Sequence, residues 1–285
     1  MTSAPAVSEL DVPRPGGGVL RAYDTGPDSG ASGLSVVWHH GSPQTGRLPD
    51  PLRHAAAARG IRLLSYGRPS YGGSTPQPGR TVGDGAADVV AVLDAVGVER
   101  AAGMGSSGGC PVGLAGAALR PDRVSAVVSL AGPAPYTEDF DWYAGMLTPD
   151  GLRTGAQGRA ARAAYAETAT FDEESFTAAD FAALDGDWAS LGADAGRAGQ
   201  ETPDGLIDDD VAMAHPWGFD VRRIAVPVLL GHGREDRVVP FAHSAWLLDQ
   251  LPNAELWVRP HDGHISVLAA VPVALDWLLA VARGG

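Results

Sequence analysis

The sequence predicts an α/β protein: a doubly wound, mostly parallel eight-stranded sheet flanked by helices, with an inserted helical cap. Three observations carry this. Short, apolar, β-branched runs recur along the chain. Helical periodicities of roughly 10–15 residues alternate with them, as in a parallel sheet with crossover helices. The alternation breaks once, between residues 133 and 215.

Residues 9–12 and 19–23, joined across 13–18, read as an antiparallel hairpin at the sheet edge. Residues 34–39 (LSVVWH), 61–66 (IRLLSY), 98–104, 124–130 (VSAVVSL), 226–231 (VPVLLG) and 254–258 follow as strands. Runs this short and this apolar suit strands covered on both faces. Residues 82–96 place Val89, Val92, Leu93 and Val96 on one helical stripe, and 109–119, 241–251 and 265–282 also fit helices. Between 133 and 215 no buried-strand run occurs, and 150–168, 171–191 and 203–214 read as helices. The expected division is therefore a core of residues 1–132 and 216–285 with a cap (lid) of residues 133–215.

The 285 residues hold 21 basic groups, all arginine, against 34 acidic ones, a net charge of −13. That excess disfavours nucleic acid and anionic membrane surfaces as partners. Residues 137–210 carry 17 acids and 4 arginines, so the net charge lies on the cap. Either this face is simply solvated, or its field favours neutral and cationic substrates at the mouth of a site. The missing lysine reads as nucleotide-composition bias. The single cysteine, Cys110, excludes an internal disulfide and reads as a buried packing residue. Residues 1–18 have no basic patch followed by an apolar run, and no stretch is expected to reach the ~18 apolar residues of a membrane span. A cytoplasmic protein acting on a small molecule is the expectation; the sequence leaves its oligomeric state open.

Gly105-Ser106-Ser107-Gly108-Gly109 has the form G-x-S-x-G between a strand-like and a helix-like run. Such a turn lifts a serine oxygen clear of the backbone, and its glycines let strand and helix pack closely. A serine hydroxyl is a poor nucleophile and needs a base, which in turn needs an acid to orient it. The strand at 226–231 runs into a loop carrying Glu235 and Asp236, and residues 261–264 (HDGH) follow the last strand. Carboxyl ends of parallel strands converge, so these groups can meet. Asp236 is preferred to Glu235 as the acid. His264, after a glycine and opening the last helix, is preferred to His261 as the base. The H-x-x-H pair lacks nearby third ligands, so neither metal nor cofactor is expected. In His40-Gly41-Ser42-Pro43, the Ser42 N–H could join that of Gly108 in a two-donor oxyanion hole, while His40 reads as a buried, hydrogen-bonded residue. Trp142, Tyr143 and Trp188 in the cap, with Trp217 just beyond, are candidates to line a substrate pocket or simply to pack.

Together these blocks resemble the α/β-hydrolase family over nearly the whole chain. His40-Gly41-Ser42-Pro43 resembles its H-G-x-P loop, residues 66–74 (YGRPSYGGS) its D-x-P-G-x-G-x-S turn, and residues 105–111 (GSSGGCP) the G-x-S-G-G-G-P elbow of one subgroup. Residues 233–240 (GREDRVVP) with Gly263-His264 resemble its acid and histidine loops. The resemblance implies Ser107 as nucleophile, Asp236 as acid, His264 as base, Ser42 and Gly108 as oxyanion donors, and a cap inserted after the sixth strand. Gly67 stands where the family has aspartate, and Ser70 where it has glycine. A serine at the elbow argues against a haloalkane dehalogenase, and its flanks differ from those of proline iminopeptidases. The expected activity is cofactor-independent hydrolysis of a carboxylic ester of small or medium size through an acyl-enzyme. The alternatives are an amide or N-terminal peptide bond, a carbon–carbon bond, or a non-catalytic ligand-binding relative.

Overall fold

The computed structural model describes residues 6–14 and 16–284. Pro15, in the expected hairpin turn, and the first five residues lie outside it. Eight strands form one sheet: β1 (Ser8–Pro13), β2 (Val19–Asp24), β3 (Ser35–His39), β4 (Arg62–Tyr66), β5 (Ala101–Ser106), β6 (Val124–Leu130), β7 (Val228–Gly233) and β8 (Ala254–Arg259). Their order is β1-β2-β4-β3-β5-β6-β7-β8. β1 and β2 form the expected antiparallel hairpin, β2 runs antiparallel to β4, and every other pairing is parallel.

The helices in chain order are α1 (Asp50–Ala57), α2 (Gly85–Ala95), α3 (Cys110–Leu119), α4 (Asp150–Ala156), α5 (Arg159–Ala166), α6 (Ala178–Asp185), α7 (Ala189–Glu201), α8 (Asp204–Met213), α9 (Ala242–Gln250) and α10 (Val271–Gly284). Strand alternation splits the core into two faces. Val36, Trp38 and Leu63 pack with Leu52 of α1 and Leu275 and Leu278 of α10. Val37 and Leu64 point the other way, onto Val89, Val92 and Leu93 of α2. Further along that face Val127 and Leu230 meet Leu114 of α3 and Leu247 of α9.

Differences from the sequence reading have local causes. α1 was not foreseen because only Leu52 and Ala56 of its eight residues are buried, too few to show a period. The helix expected at 150–168 is two, α4 and α5, because Gly158 turns the chain out of the helix at φ 104°. The one expected at 171–191 is a 3₁₀ turn (Glu173–Ser175), α6, and the start of α7. The expectation about apolar stretches also needs correcting: Ser266–Arg283 is long and apolar enough to cross a membrane by length and composition. Here Val267, Leu268, Val271, Ala274, Leu275 and Leu278 of that stretch are packed in the core.

Two glycines should respond oppositely to alanine. A Cβ at Gly109 would overlap the carbonyl oxygens of His39 and His40. Gly109→Ala is expected to lose about 1–3 kcal/mol through overpacking. Gly196 lies exposed inside α7 with nothing within 4 Å of an added Cβ. Gly196→Ala is expected to gain roughly 0.5–1 kcal/mol in helix propensity and unfolded-state entropy. Thermal melting checks both, at roughly 2–4 °C per kcal/mol for a chain of this size class.

Candidate active site

Ser107 follows the last residue of β5 and opens a 3₁₀ turn, Ser107–Gly109, that runs into α3. Its φ is 51°, the left-handed region that non-glycine residues avoid. The surroundings enforce the conformation. A Cβ on Gly105 would lie 3.0 Å from the Cys110 nitrogen, so β5 and α3 touch at the backbone. Ser107 is half-buried, whereas Ser106 is buried. Cys110 is buried too; its Sγ donates to the Leu130 carbonyl at 3.4 Å, and burial pushes the thiol up to about 12.

The structure brings Asp236 and His264 together and leaves their rivals at the surface. Asp236 Oδ2 accepts from His264 Nδ1 at 2.8 Å, and both side chains are buried. Asp236 Oδ1 accepts from the backbone N–H groups of Val238 and Val239, each at 2.9 Å. Glu235 and His261 instead lie beside one another in solvent, 3.9 Å apart. His232, at the end of β7, stands 3.4 Å behind Asp236. Burial alone would raise the Asp236 carboxyl; His264 and His232 outweigh it and hold the group well below the usual carboxylate range. Burial alone would lower His264, but the charge and hydrogen bond of Asp236, and the charge of Asp180, raise it above the ordinary histidine value. An ionised carboxylate only accepts, so Nδ1 carries the proton and Nε2 is left with its lone pair.

The Ser42 loop lies against the elbow. A Cβ on Gly41 would be 3.5 Å from Ser107 Cβ, and one on Gly108 would be 2.6 Å from Ser42 Oγ. His40 is buried and hydrogen-bonded as expected: Nδ1 donates to Gly41 O at 2.7 Å and Nε2 accepts from Arg68 N at 3.0 Å. Behind the loop is a charged cluster that sequence reasoning missed. Asp209, from α8 between β6 and β7, accepts from Ser42 Oγ, from Arg68 Nη2 at 2.6 Å, from Arg80 Nη2 at 2.8 Å and from Tyr71 Oη at 2.9 Å. Arg68 Nη2 also donates to Ser42 Oγ at 2.8 Å. Burial would raise Asp209; the two guanidinium groups hold it far below the carboxylate range. The turn that departs from the family pattern supplies Arg68. At Gly67 a Cβ would lie 2.6 Å from Tyr71 O, which explains the missing side chain there. Ser70 sits at φ 75° and its Oγ donates to Asp208.

The acidic segment between β6 and β7 is thus not only a solvated face. Asp180, Asp194, Asp208, Asp209 and Asp210 are all buried. Asp208 and Asp210 pair with Arg159 and Arg162, and burial pushes Asp210 up to about 6 against the pull of Arg162. The sequence carried no signal for this: three consecutive acids on one helix span about 200° of its surface, which a solvated outer face can accommodate.

The aromatic candidates pack. Trp142 is buried, donates to Ala134 O at 3.0 Å and abuts His243. Trp188 and Trp217 belong to the two halves of the core, and Tyr143 lies under Arg153. A cavity of about 20 Å³ borders Gly108, Pro111, Val112, Arg80, Asp209 and Met213, with none of these four aromatics in its lining. The aromatic group beside the histidine is a different one. Phe176 stacks on His264 with centroids 6.5 Å apart, and Phe171 and Phe181 flank it at 5.1 and 5.8 Å. Phe171 and Phe181 are exposed.

Comparison with known proteins agrees with this architecture. Residues 35–270 match the sequence profile of the α/β hydrolase fold. The chain is 30% identical to a non-heme chloroperoxidase of Streptomyces lividans over 243 residues, 78% of this chain and 80% of that protein. It is 27% identical to a putative carbamate hydrolase, RutD, of Caulobacter sp. strain K31, over 83% of this chain and 81% of that one. The crystal structure of a bromoperoxidase from Bacillus anthracis superposes with a TM-score of 0.73 at 22% identity, covering 97% of this chain and 100% of the other, which speaks to the fold alone. The chain therefore belongs to the α/β-hydrolase family and is a hydrolase.

Proposed function

We propose that the protein hydrolyses a carboxylic ester through an acyl-enzyme, with Ser107 as nucleophile, His264 as base and Asp236 as orienting acid. The observation that carries this reading is the buried 2.8 Å Asp236–His264 hydrogen bond, on the same sheet whose β5 ends in the strained Ser107 turn. His264 Nε2 takes the Ser107 Oγ proton as Oγ bonds to the carbonyl carbon. The N–H groups of Ser42 and Gly108 stabilise the oxyanion, worth ~2.7–4 kcal/mol of barrier for one such donor. The carbon–oxygen bond to the alcohol then breaks, and His264 returns the proton to that oxygen. Water repeats the sequence: it gives a proton to His264, bonds to the acyl carbon, and Ser107 leaves with the proton. Asp236 stays ionised throughout, stabilising the imidazolium. Phe176 and its neighbours offer an apolar surface beside the base, which suits an apolar or aryl alcohol group. A second reading, a carbamate substrate, is favoured by the name of the Caulobacter relative. The same steps would break its carbonyl–heteroatom bond, and an assay panel of p-nitrophenyl esters and carbamates separates the two.

A fluorophosphonate probe is expected to modify Ser107, and Ser107→Ala to lower kcat by about 10⁴–10⁶-fold. Peptide mapping that finds the adduct on Ser106 or Cys110 would contradict the assignment.

Because only neutral imidazole accepts the serine proton, kcat/KM should rise with pH. The raised His264 places that limb above the ordinary value of about 6.5. Asp236→Asn removes the charge that raises it and favours the wrong tautomer, so kcat should fall by about 10⁴-fold. A pH–rate profile of both proteins checks the sign.

Phe176→Ala should raise KM for aryl esters by roughly 3–10-fold relative to methyl esters of the same acid, the size of one aromatic contact. Equal changes for both esters would remove the phenylalanines from substrate binding.

A further inference from the structure

Asp180, between β6 and β7, makes most of its side-chain hydrogen bonds to the turn carrying His264. It lies on α6 and is fully buried. Oδ1 accepts from the backbone N–H groups of Ile265 and Ser266 and from Ser266 Oγ, all at 2.8 Å. Oδ2 accepts from His264 N at 3.3 Å, and from Thr177 N and Oγ1, each at 2.9 Å. The fit is close: a Cβ on Gly263 would overlap the Asp180 carboxylate. The residues it binds open the 3₁₀ turn Ser266–Ala270 that leads into α10, where unpaired backbone donors favour an anion. The carboxylate thus takes three consecutive backbone donors, beginning with that of His264 itself.

We infer that Asp180 is a positioning residue for the reaction proposed above, fixing the His264 backbone from the cap so that the imidazole meets both Asp236 and Ser107. The inference rests on the triad reading and extends it: the cap supplies part of the geometry of the base. Burial of the Asp180 carboxyl would raise it, but the donors around it hold it below the usual range, so it is ionised at neutral pH. The charged groups that face His264 are Asp236 from the loop after β7 and Asp180 from α6. His232 lies behind Asp236, and Phe176 covers the ring. Both carboxylates favour the imidazolium.

A bland role competes. Thr177 and Asp180 form a reciprocal capping box at the start of α6, so Asp180 could serve only that helix. The two roles separate by mutation. Thr177→Ala weakens the α6 cap and leaves the His264 contacts in place. Asp180→Asn cannot serve both sides, because its one acceptor oxygen replaces two and its amide would face donors.

The experiment measures kcat and KM separately, the pH–rate profile and the rate of fluorophosphonate labelling. Asp180→Asn is expected to lower kcat about 100-fold with KM changed far less, as for a displaced catalytic group. Its acidic limb should move to lower pH. Thr177→Ala should stay within about threefold of the parent in kcat while melting earlier. A folded Asp180→Asn protein with parental kcat and an unmoved limb overturns the inference, as does a Thr177→Ala protein that reproduces the whole loss. Should Asp180→Asn not fold, hydrogen exchange on the unmutated protein decides. The Ile265 and Ser266 amides should exchange together with those of α6; their surviving after α6 has exchanged overturns the anchor. Ser107→Ala separates the two levels. Activity retained there fails the triad itself, whereas an inactive Ser107→Ala beside a normal Asp180→Asn fails only the positioning role.

Discussion

Ser107 is held at φ 51°, a conformation that costs a serine on the order of 1–3 kcal/mol and persists only where its surroundings leave no alternative. Three contacts remove the alternatives. β5 pairs with β3 on one side and β6 on the other, so its end cannot shift. α3 starts so close that Gly105 touches Cys110, and Gly109 fits under the carbonyls of His39 and His40. The chain must therefore reverse within the three residues of the turn. The glycine spacing in the sequence is the trace of this crowding: side chains are absent where two backbones meet.

That crowding fixes Ser107 but not the proposed base, acid and oxyanion donor, which stand on loops. Each loop is tied down by a different carboxylate. Asp236 is itself locked by two backbone N–H groups before it accepts from His264. Ser42 is held through Arg68 and Asp209. The turn of His264 is held by Asp180. Two of the three carboxylates come from the helical segment between β6 and β7. A buried ion pair such as Asp209 with Arg68 adds little net stability, because desolvation of both charges offsets their attraction. Losing one partner would still be costly, so the pairing specifies one arrangement of α8 against the Ser42 loop more than it strengthens it.

The sheet was legible in the sequence because strands buried on both faces, such as Val124–Leu130, leave short, mostly apolar, β-branched runs that alternate with helical periodicities. The elbow was legible because steric demand wrote glycine at fixed spacing around Ser107. Asp236 and His264 were preferred in the sequence to Glu235 and His261 on chain position alone; what the sequence could not show is that the first two are buried together while the second two lie in solvent, since burial is a property of the fold. The roles of Asp180 and Asp209 were hidden. Each looks like any other acid in a segment rich in acids, and its partners lie 86 and 141 residues away for Ser266 and Arg68. Phe171, Phe176 and Phe181 were passed over for a related reason. Tryptophans draw attention by size, yet Trp142, Trp188 and Trp217 fill the interior, while Phe171 and Phe181 stay exposed on the strip that Phe176 extends to His264.

The buried charges also divide by sign across the site. On the Ser42 side two guanidinium groups, Arg68 and Arg80, share the single carboxylate of Asp209. On the His264 side stand two carboxylates, Asp236 and Asp180. In the proposed reaction negative charge develops on the substrate oxygen, next to Ser42 and Gly108, while positive charge develops on the imidazole. An excess of guanidinium on the first side and of carboxylate on the second has the sign that would favour this separation, and charges fixed before substrate arrives lower a barrier most. The −13 net charge of the chain hides this entirely. A sum over residues gives no orientation, and what acts on a transition state is the direction of the field at two atoms. The acids that matter to that direction are the few whose neighbours exclude water, since in a water-poor interior a charge acts far more strongly than on the surface.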